Sequence, residues 1–392
     1  MDRPPTRAPG GGDDPPPAYP AARAVSSVVR AYFAGCVTAA RDRGERDGAA
    51  LPDERAIEEI IGAAFWASLR REEGRSPKIS FAYLPPEHPD SQVMFGRPLP
   101  LDPGVLAKLS PAVERPGIHL GVCRVDGALR VWGAAHRLPP HCFVLEVVEP
   151  GLLVVKRRRR REDDKYANVV VLQGDQVKVV DQSGSALADR LPAMASSLGF
   201  ASSRVWADRL NVAVQLALSM RAHGRGGSLL IVPRGSDGWR ESVVQPILYP
   251  ADPPFVALAR LLERGPQGEE DAGWRDRVRT VVDGIAGLTM VDGATVITDA
   301  YELLAFGVKI RRRAGSPQVE RVVSMEPVLG ATATEVEPSG LGGTRHLSAA
   351  QFVQDQPQAL ALVASQDGRF TVFGCPPGQG DVHAHRVEAL LL

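Results

Sequence analysis

Apolar positions follow helical spacing first, then strand spacing, then an alternation of the two. Val25, Val28, Val29 and Phe33 fall on one helical face, which predicts a helix over 24–41. A second helix is predicted over 52–71, where Asp53 stands at the N-cap position and Ile57, Ile60, Ile61, Ala64 and Phe65 form an apolar stripe. From 78 to 181 the runs shorten. Residues 78–83, 118–122, 129–132, 142–147, 152–155 and 169–172 read as strands, separated by Asp126-Gly127, Pro139-Pro140, Pro150-Gly151 and Gly174-Asp175. That spacing predicts a mainly antiparallel β-region behind two helices. From 203 the pattern alternates. Trp206, Leu210, Val214, Ala217 and Met220 make an amphipathic helix that stops at His223-Gly224. Residues 229–232 read as a buried strand, 255–264 as a helix, 265–273 as a loop, and 274–285 as a helix leading into a strand that ends at Asp292. Further short apolar runs lie at 294–297, 303–306, 360–363 and 370–373. Strands alternating with helices predict a layered α/β domain.

The expected organisation is a disordered Pro/Gly-rich tail over 1–22, an α+β region over 23–200, an α/β domain with a layered mixed sheet over 201–380, and a polar tail over 381–392. The tail at 1–22 holds too little apolar surface to offset the entropy of ordering it. The 392 residues carry no net charge, so overall charge points to no polyanionic partner and nucleic acid is not expected. No apolar run approaches the roughly 20 residues a membrane helix needs. Cys36, Cys123, Cys142 and Cys375 lack metal or disulfide spacing, and a reduced cytoplasmic protein is the simple reading.

Candidate chemistry concentrates in the second half. Asp292-Gly293-Ala294 closes the apolar run 288–291, and its glycine lets backbone approach a ligand. Asp-Gly is also a common hairpin turn, and another copy of the triplet, Asp126-Gly127-Ala128, reads as a hairpin. Gly343-Thr344-Arg345-His346 opens a helix, with Thr344 as its N-cap. Backbone N–H groups there favour anions, and Arg345 and His346 add cationic and hydrogen-bonding groups. Alone, the same residues suit a capped surface helix. Gly226-Gly227-Ser228-Leu229 enters a buried strand, and Ser365-Gln366-Asp367-Gly368 forms a turn between two strand runs.

Taken together and in this order, these motifs resemble the signature of the diadenylate cyclase domain family. The resemblance covers about 201–374, under half the chain; such domains carry presumed sensory regions upstream, so 23–200 is expected to be a regulatory or sensor-like region. It implies condensation of two ATP molecules into cyclic di-AMP and pyrophosphate, with Mn²⁺ or Mg²⁺ as cofactor. It assigns Asp292, Arg345 and His346 to catalysis, and Asp292 and Asp367 to the metal. Gly227, Ser228, Leu229, Gly293, Ala294, Gly343, Thr344, Arg345, His346 and Ser365 would line the nucleotide. A homodimer or larger assembly is implied, because each domain in the family holds one ATP. The alternative is a domain that binds ATP or cyclic di-AMP without turning it over.

The sequence departs from the family at two places. Leu347 stands where the family motif continues with arginine, and Gln366 where many members carry glutamate. Loss of a phosphate-contacting arginine costs a few kcal/mol of transition-state stabilisation. An amide is a poorer metal ligand than a carboxylate. The long segment 309–342 is a candidate cover for the site. The basic run 156–161 is partly neutralised by Glu162-Asp163-Asp164 and reads as an exposed hairpin. Arg311, Arg312 and Arg313 read as a solvated loop, and His383 and His385 as part of the tail.

Overall fold

A computed structural model describes residues 17–44, 49–86, 92–158, 166–180, 212–265, 272–376 and 380–392. The chain divides into two units, Met1–Val179 and Val180–Leu392. The expected boundary at 200/201 lies outside the described residues.

In the first unit α1 (Pro20–Asp42) and α2 (Glu54–Ser68) precede the whole sheet. Helix α1 starts inside the expected tail, because Ala21 and Ala22 are buried with Val25, Val29 and Phe33. The Asp53 side chain accepts the Ala56 N–H at 2.7 Å, a cap that contributes about 1 kcal/mol. The sheet comprises β1 (Ser80–Tyr83), β2 (Gln92–Pro100), β3 (His119–Val125), β4 (Ala128–Ala135), β5 (Phe143–Glu149), β6 (Leu152–Arg158), β7 (Tyr166–Gln173) and β8 (Gln176–Val179), with α3 (Pro103–Val113) between β2 and β3. Its order is β2-β4-β3-β1-β5-β6-β7-β8. Every neighbouring pair is antiparallel except β1 and β3. Alternation along β1 and β5 splits the core. Phe81, Phe143 and Leu145 pack with Ile57, Ile60 and Ile61 of α2, while Ala82 and Val144 join a smaller cluster around Trp132 and Cys142. Each fully buried isoleucine contributes about 2 kcal/mol.

The second unit holds α4 (Val212–Ala222), β9 (Gly227–Val232), β10 (Tyr249–Phe255), α5 (Ala257–Arg264), α6 (Ala272–Leu288), β11 (Ala294–Thr298), β12 (Leu303–Val308), β13 (Val322–Met325), β14 (Thr334–Val336), the short α7 (Pro338–Leu341), α8 (Thr344–Asp355), β15 (Leu360–Ala364), β16 (Phe370–Gly374) and β17 (His383–Arg386). The start of the predicted helix, at Trp206 and Leu210, lies outside the described residues. The strands order as β10-β12-β11-β9-β15-β16-β17-β13-β14. The pairs β9–β11 and β13–β17 are parallel. Leu229, Ile231, Leu362 and Val372 face Leu216, Met220, Val278 and Val282 of α4 and α6. Leu230, Val232, Val363 and Phe373 face Ala349, Phe352 and Val353 of α8. The mixed sheet is therefore covered on both faces.

Three expectations are corrected. The run 288–291 is not a strand: α6 continues to Leu288, and the N–H groups of Thr289, Met290 and Val291 bond back to Ala286, Gly287 and Leu288. A short apolar run fits a helix end as well as a strand. Residues 381–392 are not a tail, since β17 pairs with β16 and buries His383 and His385. The segment 309–342 forms edge strands rather than a cover, with β13 against β17 and β14 against β13.

Candidate functional site

Strand register gathers the predicted motifs at one end of the second sheet. Ser228 of β9 lies opposite Ala294 of β11, Gly227 opposite Ala364 of β15, and Val308 of β12 opposite Ala294. The entry to β9, the turn before β11, the exit of β12 and the exit of β15 thus share one edge. Asp292 precedes β11 instead of ending a strand. The cluster consequently lies at the amino end of the parallel pair β9–β11, whereas open α/β sheets usually bind ligands at the carboxyl ends.

The Asp292-Gly293 turn is held tightly from below. Gly293 has φ +116°, and a Cβ there would stand 2.6 Å from the Gly307 carbonyl carbon and 2.8 Å from the Val308 oxygen. No other residue type fits without moving β12. The Asp292 carboxylate itself points outward, its side chain 90% exposed, and pairs with the Lys309 ammonium. The hydrogen bond and charge of Lys309, with the Arg345 guanidinium nearby, hold this carboxyl below its usual range, so it is ionised at neutral pH.

Gly226 and Gly227 allow the neighbouring close approach. A Cβ on Gly226 (φ +69°) would meet Arg345 Nη1 at 3.1 Å, the Ala364 oxygen at 3.2 Å and Gln366 Cγ at 3.4 Å. One on Gly227 would meet the Thr289 oxygen at 2.6 Å. Ser228 and Leu229 are buried inside β9, and Leu229 packs into the core. Gln366 donates through Nε2 to the Arg225 carbonyl at 3.3 Å, tying the turn after β15 to the loop before β9.

At the start of α8 the cap is Gly343, not Thr344, which is the first helical residue. Thr344 and Arg345 are exposed, whereas His346 is buried. Its Nε2 lies 3.3 Å from the Thr371 hydroxyl, and a Cβ on Gly342 would stand 2.3 Å from its Nδ1. Burial lowers the His346 pKa, with Arg369, Arg386 and Arg345 acting the same way against Asp367. His346 is therefore a neutral side chain beneath the glycines, not a cation offered to solvent. Leu347 is half-buried against the core beside α8.

Ser365 closes the β15–β16 turn, its N–H bonding the Arg369 carbonyl at 2.9 Å. Burial alone would raise Asp367, but the Arg369 N–H, the Ser365 hydroxyl and the Arg369 guanidinium together hold its carboxyl down. Asp367 pairs with Arg369 at 3.3 Å. Among the described residues, no three His, Cys, Asp or Glu side chains gather as a metal cage. A single open carboxylate such as Asp292 still suits Mg²⁺ or Mn²⁺, which take one or two carboxylates and complete their shell with phosphates and water.

Sequence reasoning missed Lys309 and Gly307. Lys309 stands 17 positions beyond Asp292, and only the β11–β12 register brings them together. The sequence carries one signal for it, a lysine directly after a strand-like run that ends in glycine and valine.

Polar groups in the first unit are arranged differently. Ser80 Oγ lies 2.6 Å from His119 Nδ1, and the Tyr166 hydroxyl 3.0 Å from His119 Nε2. Burial pushes this imidazole down to about 4. The basic run is partly absorbed into β6: Lys156 pairs with Glu146, and Arg157 reaches Tyr32 and His141. Arg159, Arg160 and Arg161 lie outside the described residues. No disulfide links the four cysteines, which are all free. No described helix is long and apolar enough to cross a membrane. No curated protein matches the chain. Residues 46–136, which span α2 to β4, match the family model described as a probable sensor domain, DACNV, and the first unit accordingly carries a segment similar to a sensor domain.

Proposed function

We propose that the second unit is a diadenylate cyclase regulated by the first. The observation that supports this reading best is the convergence of Asp292, Arg345 and the Gly226-Gly227 loop, far apart in sequence, at one sheet end. The 3′-hydroxyl of each ATP attacks the α-phosphorus of the other. Two phosphodiester bonds form, two α–β phosphoanhydride bonds break, and two pyrophosphates leave. Arg345 and the N–H groups of Thr344 and Arg345 at the start of α8 hold phosphate oxygens. Gly226 and Gly293 let their loops close against Arg345 and β12, which holds the site's backbone in place for the nucleotide. The ionised Asp292 carboxylate accepts a hydrogen bond from the attacking hydroxyl and would hold the metal. Mg²⁺ or Mn²⁺, when bound, supplies charge neutralisation at the phosphates.

The reaction joins two ATP molecules and each domain holds one, so two copies must meet. Exposed apolar side chains flank the site: the Val244 N–H bonds the Lys309 carbonyl at 2.8 Å, and Tyr249 lies under Gly307. Leu248 is 72% exposed, and Val244, Tyr249 and Met290 are also exposed. A second copy that covered this patch would face its site toward the first.

The test is incubation of the full chain with ATP and Mn²⁺ or Mg²⁺, with products identified by mass spectrometry. Cyclic di-AMP from the native protein but not from Asp292→Asn is the expected result. No product from a dimeric, metal-supplied sample sinks the cyclase reading.

A second reading, a nucleotide sensor without turnover, is favoured by the burial of His346 and the inward packing of Leu347. It expects ATP to raise the melting temperature without product, since a ligand bound only by the native state stabilises it. Product appearing only in Leu347→Arg would decide for this reading.

A further inference from the structure

Asp292 faces more positive charge than it can neutralise. Lys309 sits on its carboxylate, and Arg345 acts on it from the side of Gly226. Two cations against one carboxylate leave the surroundings of Asp292 net positive. The Lys309 backbone cannot drift away, because Val308 is registered against Ala294, the Gly293 turn abuts Gly307, and the Lys309 carbonyl is bonded by Val244. Its side chain is free to swing. Lys309 is 55% and Asp292 90% exposed, and such open ion pairs exchange easily. A divalent metal on Asp292 repels the ammonium and takes its acceptor, so the two compete for one carboxylate. A displaced ammonium so tethered has the nucleotide phosphates as its nearest new partner.

We propose that Lys309 is a phosphate-binding cation of this site, resting on Asp292 without ligand and moving to a phosphate oxygen when metal and nucleotide arrive. The inference rests on the nucleotide-site reading above. It also predicts order: metal alone binds poorly, because it must displace Lys309 at an already positive site, whereas a metal–nucleotide complex brings compensating negative charge.

Two binding measurements on the full chain test it. The first titrates Mn²⁺ without nucleotide and follows free Mn²⁺ by electron paramagnetic resonance. The second measures ATP binding by equilibrium dialysis with Mg²⁺, using the analogue 3′-deoxy-ATP, which lacks the attacking hydroxyl. Lys309→Met is expected to bind Mn²⁺ severalfold more tightly and ATP about tenfold more weakly, the effect of losing one charge-assisted hydrogen bond. Lys309→Arg is expected to keep most of the ATP affinity. Unchanged ATP affinity in Lys309→Met overturns the proposal whatever Mn²⁺ does, because Lys309 is then only a neighbour of the carboxylate. Arg345→Ala and Asp292→Asn separate the two failures. If Arg345→Ala leaves ATP binding intact and Asp292→Asn leaves Mn²⁺ binding intact, the nucleotide site itself is wrong. If those variants matter and Lys309→Met does not, only the role of Lys309 falls.

Discussion

The triplet Asp-Gly-Ala occurs three times, and in the two copies that lie wholly within the described residues its alanine opens a strand, β4 at Ala128 and β11 at Ala294. The copy at Asp126 is a two-residue hairpin turn with both φ values positive, Asp126 at 49° and Gly127 at 77°. Nothing lies within 4 Å of the place a Gly127 Cβ would take. The copy at Asp292 joins a helix to a strand that runs parallel to β9, and its glycine is pressed against Gly307 and Val308. Asp126 closes a turn, while Asp292 is aimed at solvent between two cations. The same three residues are therefore a connector or a candidate site according to what the sheet places beside them.

The sharpest break of this comparison is at the aspartates. Asp292→Asn is expected to lower cyclic di-AMP synthesis by about a hundredfold or more, the scale of losing a group that stabilises transition-state charge. Asp126→Asn should leave the initial rate unchanged, and equal losses would undo the assignment.

The glycines come next, read by urea unfolding. Gly293→Ala combines φ +116° with an overlap against backbone and should cost about 3 kcal/mol or more. Gly127→Ala has only the left-handed strain and should cost about 1 kcal/mol. Similar costs would mean that the turn at Gly293 is as open as the one at Gly127.

Acid separates the two units more gently. His119 titrates near 4 when folded and near 6.5 when unfolded, so the unfolded chain binds the extra proton between those values. The contribution of His119 is whole above pH 6.5 and is lost as pH falls toward 4, by about 3 kcal/mol at most. The exposed Asp292 contributes no comparable step. A urea midpoint that stays flat from pH 7 to 4.5, or an acid slope unchanged in His119→Asn, would show that His119 is not sealed in as described.

Much of the architecture was legible. The helix stripes at Val25–Phe33 and Ile57–Phe65 and most strands of the first unit follow from apolar period and turn residues. Strand β2 and helix α3 were missed. The strand contains Gly96, Pro98 and Pro100, and the helix Pro103, Gly104 and Pro111, all residues that interrupt a periodic pattern. The site was half legible. Asp292, Gly293 and Arg345 were found as motifs, but His346 sits on the inner side of α8, where packing against Thr371 and Gly342 decides its role.

By itself the sequence determined two mixed α/β regions, the capped and amphipathic helices, the hairpin at Asp126-Gly127, and the motifs worth testing. These rest on interactions between residues near in sequence, which composition and period record. Only the tertiary structure decided that Asp292 precedes its strand, that Lys309 answers it, that the C-terminal segment is a sheet strand, and that His346 is buried. Those outcomes depend on strand register and on which face of a helix meets the core. Register is set by pairing between distant segments, and no local window of sequence contains both partners.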